Sequence, residues 1–540
     1  MPRFLVSLVL VVAVAAQAQT QDITTYIHRT WDTLTRSTTQ CKAVVDVKVA
    51  EKPIIYLPAG MSTPADLTKM QEGCGVEVEH LPRRITHIAE VMPDELPRTG
   101  VLYLPHPYVV PGGRFNEMYG WDSYFIILGL LHDGRDDLAR GMAENFFFEI
   151  ENYGALLNAN RTYYLTRSQP PLLAEIIREL MSSKHPPEKA WLEHAYAAAT
   201  KDYALWTSPE HRAGSTGLAR YKDFGSGPVP EMADDNNYYR DVIRWMQGHR
   251  HAAMQYLVHS DPHPDAAEKA RLRKISCDVD KSTVCAHATL AGSRLTKAFF
   301  DGDRAMRESG FDTSFRFGPF SGSTQQYAPV CLNSLLYRYE IDMAEFAQTL
   351  GKTNEAAEWK HRAEGRKSAM QRYLWNARRK RFVDYNFVTH KQSDYRYVTE
   401  FYPLWAGWAS PEQAKATMLN LGDYERKGGL AMSLHRSGMQ WDEPFGWAPT
   451  NYFAIAGMRR YGFTTEANRI AQKFTHTIES NYAREDTIRE KYNVETGTSD
   501  VQVAAGYRAN VAGFGWTNGV YLRLKSWLAP GDSLKEQDKP

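Results

Sequence analysis

Apolar residues recurring at helical spacing constrain this chain more than any other feature. Across 332–350 they fall at Leu332, Leu335, Leu336, Tyr339, Met343, Phe346 and Leu350, a one-face stripe that Gly351 closes. A second amphipathic stretch carrying Ala357, Trp359 and Met370 begins almost at once. A turn that short makes two long helices antiparallel neighbours. Further helices are expected at 172–181, behind Pro170 and Pro171, and near 188–206, 411–420, 452–461 and 465–480. Strand signals such as 54–57 and 381–387 are few and short. From about residue 115 onward the chain reads as predominantly α, and the absence of a fixed sequence period disfavours a solenoid.

No Gly/Ser-rich or Pro-rich linker interrupts the 540 residues, so one large domain over 19–529 is expected, followed by a polar tail at 530–540. The stretch 248–300, rich in His, Asp, Lys and Arg, reads as an insertion. Lys and Arg total 64 against 63 Asp and Glu, so no net field favours nucleic acid or an anionic membrane. Arg3, the apolar run 4–16 and the small-x-small triplet Ala16-Gln17-Ala18 have the form of a secretory signal occupying 1–18. A periplasmic or secreted protein, free of the membrane after cleavage, is therefore expected. The five cysteines show no metal-ligand spacing. In an oxidising compartment Cys277 can pair with Cys285 and Cys41 with Cys74, while Cys331 sits in an apolar run as a buried thiol.

The chemistry concentrates in Pro111-Gly-Gly-Arg-Phe-Asn-Glu-Met-Tyr-Gly-Trp-Asp-Ser-Tyr124. Paired glycines permit a sharp turn, Arg114 offers a planar fork of donors, and Trp121 and Tyr124 offer flat apolar faces. A sugar ring, with hydroxyls on its edge and C–H bonds on its faces, needs those groups. Clusters of similar composition lie at 158–171, 308–316, 438–449, 490–493 and 513–519. Glycosidic bonds are broken by two carboxyl groups, one kept protonated and one ionised. Asp312, between Phe311 and Phe315, suits the acid. Glu490, between Arg489 and Lys491, suits the ionised partner. On composition alone Glu117, Asp122, Asp442 and Glu443 compete on equal terms, and Arg114 and Arg167 read equally well as structural ion-pair partners.

Over nearly all of the chain after residue 50 these clusters resemble the trehalases of glycoside hydrolase family 37. The 111–124 segment is similar to that family's first signature, and Gln440-Trp-Asp-x-Pro-x-Gly-Trp-Ala-Pro449 to its second. The resemblance implies an all-α (α/α)6 toroid with a few short β elements and an N-terminal extension. It implies inverting hydrolysis of α,α-trehalose, a small disaccharide, to two glucose molecules, with no metal and no cofactor. A monomer is expected. Asp312 then falls at the general acid and Glu490 at the base that activates water, with about 6.5–9.5 Å needed between the carboxyls. Arg114, Trp121, Asp122, Asn158, Arg167, Ser168, Gln169, Glu231 and Gly310 fall at sugar-contacting positions.

Three departures stand out. Val229 replaces the arginine expected before Pro230, leaving Arg220, Arg240 or Arg316 as candidate substitutes. The glycine-rich lid and its glutamate give way to 495–510. Asn493 and Phe445 replace an aspartate and an asparagine. These changes leave two alternatives: a related toroid glycosidase with another glucoside as substrate, or a sugar-binding protein with weakened turnover.

Overall fold

The computed structural model describes residues 21–45, 52–232, 237–261 and 263–530. The expected leader at 1–18 and the tail beyond 530 lie outside the described residues.

Gly120–His132, Leu173–Met181, Val330–Thr349, Tyr402–Ala406, Ala448–Arg460 and Gly515–Leu528 each pack on the next, and the last packs on the first. The chain thereby closes an inner ring of six helices. Ile23–Leu34, Asp136–Asn152, Lys189–Trp206, Thr353–Tyr373 and Thr464–Glu485 lie outside it against inner-ring helices. Pro411–Met418 joins this outer layer, with Gln413 and Gln371 exchanging hydrogen bonds of 2.6 and 3.0 Å. This is the (α/α)6 toroid that the sequence led us to expect.

The two layers carry different sequence patterns for a physical reason. An inner helix touches protein on every side, and Gly120–His132 is buried without a break from Gly120 to Leu130. An outer helix needs only one apolar stripe, and Thr353–Tyr373 buries just Ala356, Trp359, Ala363, Arg366 and Met370. Ala448–Arg460 starts earlier than the stripe suggests, because Pro449 is tolerated in a first helical turn. The 381–387 stretch resolves into two short strands, Arg381–Phe382 and Tyr385–Asn386.

Closure of the ring depends on two glycines that face each other. A Cβ on Gly129 would lie 2.8 Å from the Gly519 Cα, and one on Gly519 would lie 1.9 Å from the Phe125 carbonyl oxygen. Backbone cannot yield to that contact without separating the first and last inner helices. Gly519→Ala is expected to destabilise the protein by about 1–3 kcal/mol or more, seen as a lower denaturation midpoint. An unchanged midpoint would show that the seam is looser than these distances imply.

Two peripheral units complete the chain. Ile54–Leu57 pairs in parallel with Glu77–His80 and Val101–Leu102 in an N-terminal sheet, and Cys41–Cys74 ties the helix Ala65–Cys74 to the short helix Cys41–Val44. The 248–300 segment holds Arg250–Tyr256, Ala266–Ile275, Thr283–His287 and a three-stranded sheet, with Cys277 bonded to Cys285. It shares an apolar cluster with Val229, Tyr238, Met439 and Ala505. Cys331 is an unpaired, buried thiol. No described helix is long and apolar enough to cross a membrane.

Candidate active site

Four of the inner helices are entered from segments that meet around one cavity of about 220 Å³. The lining comes from 111–122, 158–169, 307–313, 440–447, 490 and 506–516, together with Glu231 and Met232. Arg114, Trp121, Asp122, Asn158, Arg167, Gln169, Glu231, Gly310, Asp312 and Glu490 all face it. Ser168 does not line it; its hydroxyl donates to the Leu156 carbonyl at 2.6 Å and braces the 156–169 loop.

Asp312 follows the end of the helix Lys297–Glu308. Gly310, at φ +74°, lies flat on Trp121: a Cβ there would be 2.8 Å from the indole. That close approach requires glycine. The second signature clamps the next residues, with the Trp441 amide donating to the Thr313 carbonyl at 3.0 Å and the Phe315 amide to Asp442 at 2.8 Å. The Gln440 amide group also donates to the Asp312 carbonyl. Asp312 keeps 38% of its side-chain surface open to the cavity. Burial nevertheless pushes its carboxyl up to about 6, against the opposing pull of Arg307 and Arg167.

Glu490 leads into the strand Lys491–Asn493, which pairs with Phe445–Trp447. Its carbonyl accepts from the Trp516 indole at 3.2 Å, and its amide donates to the Val511 carbonyl at 3.1 Å. Lys491 Nζ stands 3.3 Å from Glu490 Oε2. Arg489 turns away to Glu485 at 2.7 Å, so only one of the two expected cations acts on Glu490. Burial outweighs it and raises the Glu490 carboxyl, with Lys491 opposing. Asp122 lies between the two centres electrostatically. Burial pushes it far above the carboxylate range, and Glu490 and Asp312 add to the shift.

The other acidic candidates have structural partners. Glu117 pairs with buried Arg161 at 2.6 Å, Glu443 with Arg426, and Asp442 holds Phe315, Tyr395 and Ser437. Arg167 pairs with Glu231 and, at 3.5 Å, with Asp223. Burial disfavours the Glu231 charge, but Arg167 and Arg307 outweigh it and hold the carboxyl below its ordinary range.

Val229 is buried in the apolar cluster of the insertion. None of its three candidate substitutes reaches the cavity. Arg220 binds the Glu210 and Gln325 carbonyls, Arg240 the His287 carbonyl, and Arg316 grips Asp384 at 2.7 and 2.8 Å. Besides Arg114 and Arg167, the cavity is faced by Arg307, which the sequence left unremarked. It is held by Asp303 at 3.2 and 3.3 Å and stands 3.8 Å from Asp312. Asp303 also accepts from Tyr238 and Tyr239, and Tyr239 accepts from the Val229 amide at 3.1 Å. Its place one helical turn after Asp303 and five residues before Asp312 was the available signal. Tyr119, Tyr164, Trp447, Phe514 and Trp516 add aromatic wall that was not singled out either. Among the described residues no group of His, Cys, Asp or Glu is arranged to hold a metal ion.

The trehalase family model matches residues 10–527. The cytosolic neutral trehalase of Saccharomyces cerevisiae is 34% identical over 530 residues, covering 88% of this chain and 67% of that protein. The cytosolic neutral trehalase of Kluyveromyces lactis is 34% identical over 552 residues, covering 91% and 69%. The solved structure of neutral trehalase Nth1 from Saccharomyces cerevisiae superposes with a TM-score of 0.75 at 31% identity, covering 94% of each chain. These names correct the expectation of a periplasmic or secreted protein with a signal peptide. Relatives aligned over most of the chain are named cytosolic, and a brief apolar run ending in a small-residue triplet is a weaker pattern than likeness of that extent. With the toroid, the carboxyl-lined cavity and these relationships together, the chain belongs to the trehalase family and hydrolyses α,α-trehalose.

Proposed function

We propose that Asp312 protonates the bridging oxygen of trehalose while Glu490 takes a proton from the water that attacks the anomeric carbon. The C1–O bond breaks with its electron pair leaving on the protonated oxygen, and the new C1–O bond forms from the opposite face. One glucose therefore starts as the β-anomer and the other as α. The observation that carries this assignment is that two carboxyls from distant parts of the chain, Asp312 and Glu490, face one cavity. Burial raises both: Asp312 reaches about 6, which suits an acid, while Lys491 at 3.3 Å opposes the rise at Glu490. Asp122, Arg114, Arg167, Asn158, Gln169 and Glu231 face the same cavity as partners for the sugar hydroxyls. Glucose release from trehalose by the purified protein tests the activity, and no release between pH 4 and 8 would contradict it.

Arg307 supplies the pocket cation that Val229 does not. Arg307→Leu removes charge-assisted hydrogen bonds to sugar hydroxyls, and KM for trehalose is expected to rise about 10–100-fold. Because Arg307 lowers the Asp312 pKa, the alkaline limb of kcat/KM is also expected to move to higher pH. An unchanged KM would remove Arg307 from the sugar contacts.

A further inference from the structure

Between Ser499 and Asn510 the chain passes the catalytic cavity. The Ala504 amide donates to the Gly438 carbonyl at 2.9 Å, and Gly506 lies against Tyr238 and Thr313. The next residue, Tyr507, faces the cavity. Its ring lies 5.0 Å from the Arg114 guanidinium and 4.7 Å from Lys491 Nζ. Its hydroxyl is buried between the Glu490 carboxylate and the Arg114 guanidinium, close enough to act on both, yet it completes no well-formed hydrogen bond to either. Leaving such a group unsatisfied is unfavourable, so the working site is expected to supply an acceptor.

Glu490 offers one. Both hydrogen bonds to its carboxylate, from Lys491 Nζ at 3.3 Å and the Val511 amide at 3.5 Å, fall on Oε2. The charged groups that act around it are Lys491 beside it, Asp122 from Gly120–His132, and Arg114 and Asp312 from the cavity wall. We propose that Tyr507 is a positioning residue for the base: its hydroxyl donates to the Glu490 carboxylate, while its ring holds Arg114 and Lys491 around it. This rests on Glu490 being the base. The donated bond favours the ionised carboxylate and restricts its rotation, so the attacking water meets a fixed acceptor. A donor here acts in the same direction as Lys491, and both counter the burial that raises Glu490.

The test compares Tyr507→Phe with the parent chain on trehalose across the pH range, with Glu490→Gln in parallel. Phenylalanine keeps the ring over Arg114 and Lys491 and removes only the hydroxyl. The expected result is a kcat lower by about tenfold or more, with KM within roughly threefold. The acid limb of kcat/KM, set by Glu490, is expected to move up by roughly one pH unit. In the Glu490→Gln background the same change should have little further effect. An acid limb that stays in place, or a higher KM with kcat unchanged, overturns the proposal and makes Tyr507 a sugar contact only. If Glu490→Gln keeps near-normal turnover, the base assignment itself fails, whatever Tyr507→Phe does. If Glu490→Gln is inactive and Tyr507→Phe behaves as the parent chain, only the tyrosine proposal falls.

Discussion

Asp312→Asn is expected to lower turnover of trehalose by about 10²–10⁴-fold. The amide keeps the shape of the carboxyl but has no proton to give to the departing sugar. Folding should survive, because Arg307 keeps Asp303 as its partner and the 312–315 backbone stays clamped by Gln440, Trp441 and Asp442. A substrate that needs no proton separates the chemistry from general damage. Fluoride leaves unaided, so the variant should hydrolyse α-glucosyl fluoride far better than trehalose. Loss of both activities would argue against Asp312 as the acid. In the parent chain kcat/KM should decline as pH rises through about 6, because the free enzyme then loses the proton that burial keeps on Asp312.

Glu490→Gln is expected to fail on both substrates, again by about 10²–10⁴-fold. Water must still be deprotonated when the leaving group needs no help, and glutamine cannot accept that proton. The substitution also leaves Lys491 without its carboxylate partner, although Lys491 retains the Ala509 carbonyl at 2.6 Å and the faces of Trp447 and Tyr507. The melting temperature is therefore expected to change little. A variant that kept its activity on the fluoride would place the base elsewhere.

Helices of both layers were legible where apolar residues recur at helical spacing: the 332–350 stripe is the inner helix Val330–Thr349 and the stretch after it the outer helix Thr353–Tyr373, although Ala356 is buried there and Ala357 exposed. The outer helices Ile23–Leu34 and Asp136–Asn152 went unread, and so did some inner helices. Gly120–His132 is buried all round, so its residues carry no period and only the glycosyl-binding motif at its start drew notice. The site was legible where loops carry dense clusters of Arg, Asp, Glu and aromatics, and nearly all the residues named from those clusters face one cavity. Arg307 escaped because it lies inside Lys297–Glu308, where a partner one turn away looks like an ordinary surface pair. Arg316 was a candidate substitute for the arginine absent at Val229, yet Asp384 holds it in the core. Proximity in sequence overstated Arg489, whose side chain points to Glu485. Side-chain direction at the end of a strand is set by the neighbouring elements, and no local pattern encodes it. The apolar start of the chain carried a targeting pattern without the wider context needed to weigh it.

Proton NMR of the sugars released in the first minutes of trehalose hydrolysis, before mutarotation mixes the anomers, tests the paired roles of Asp312 and Glu490 most directly. Attack by a Glu490-activated water should give equal amounts of α- and β-glucose. Release of α-glucose alone would mean retention through a covalent intermediate and would contradict the assignment of Glu490 as a base acting on water.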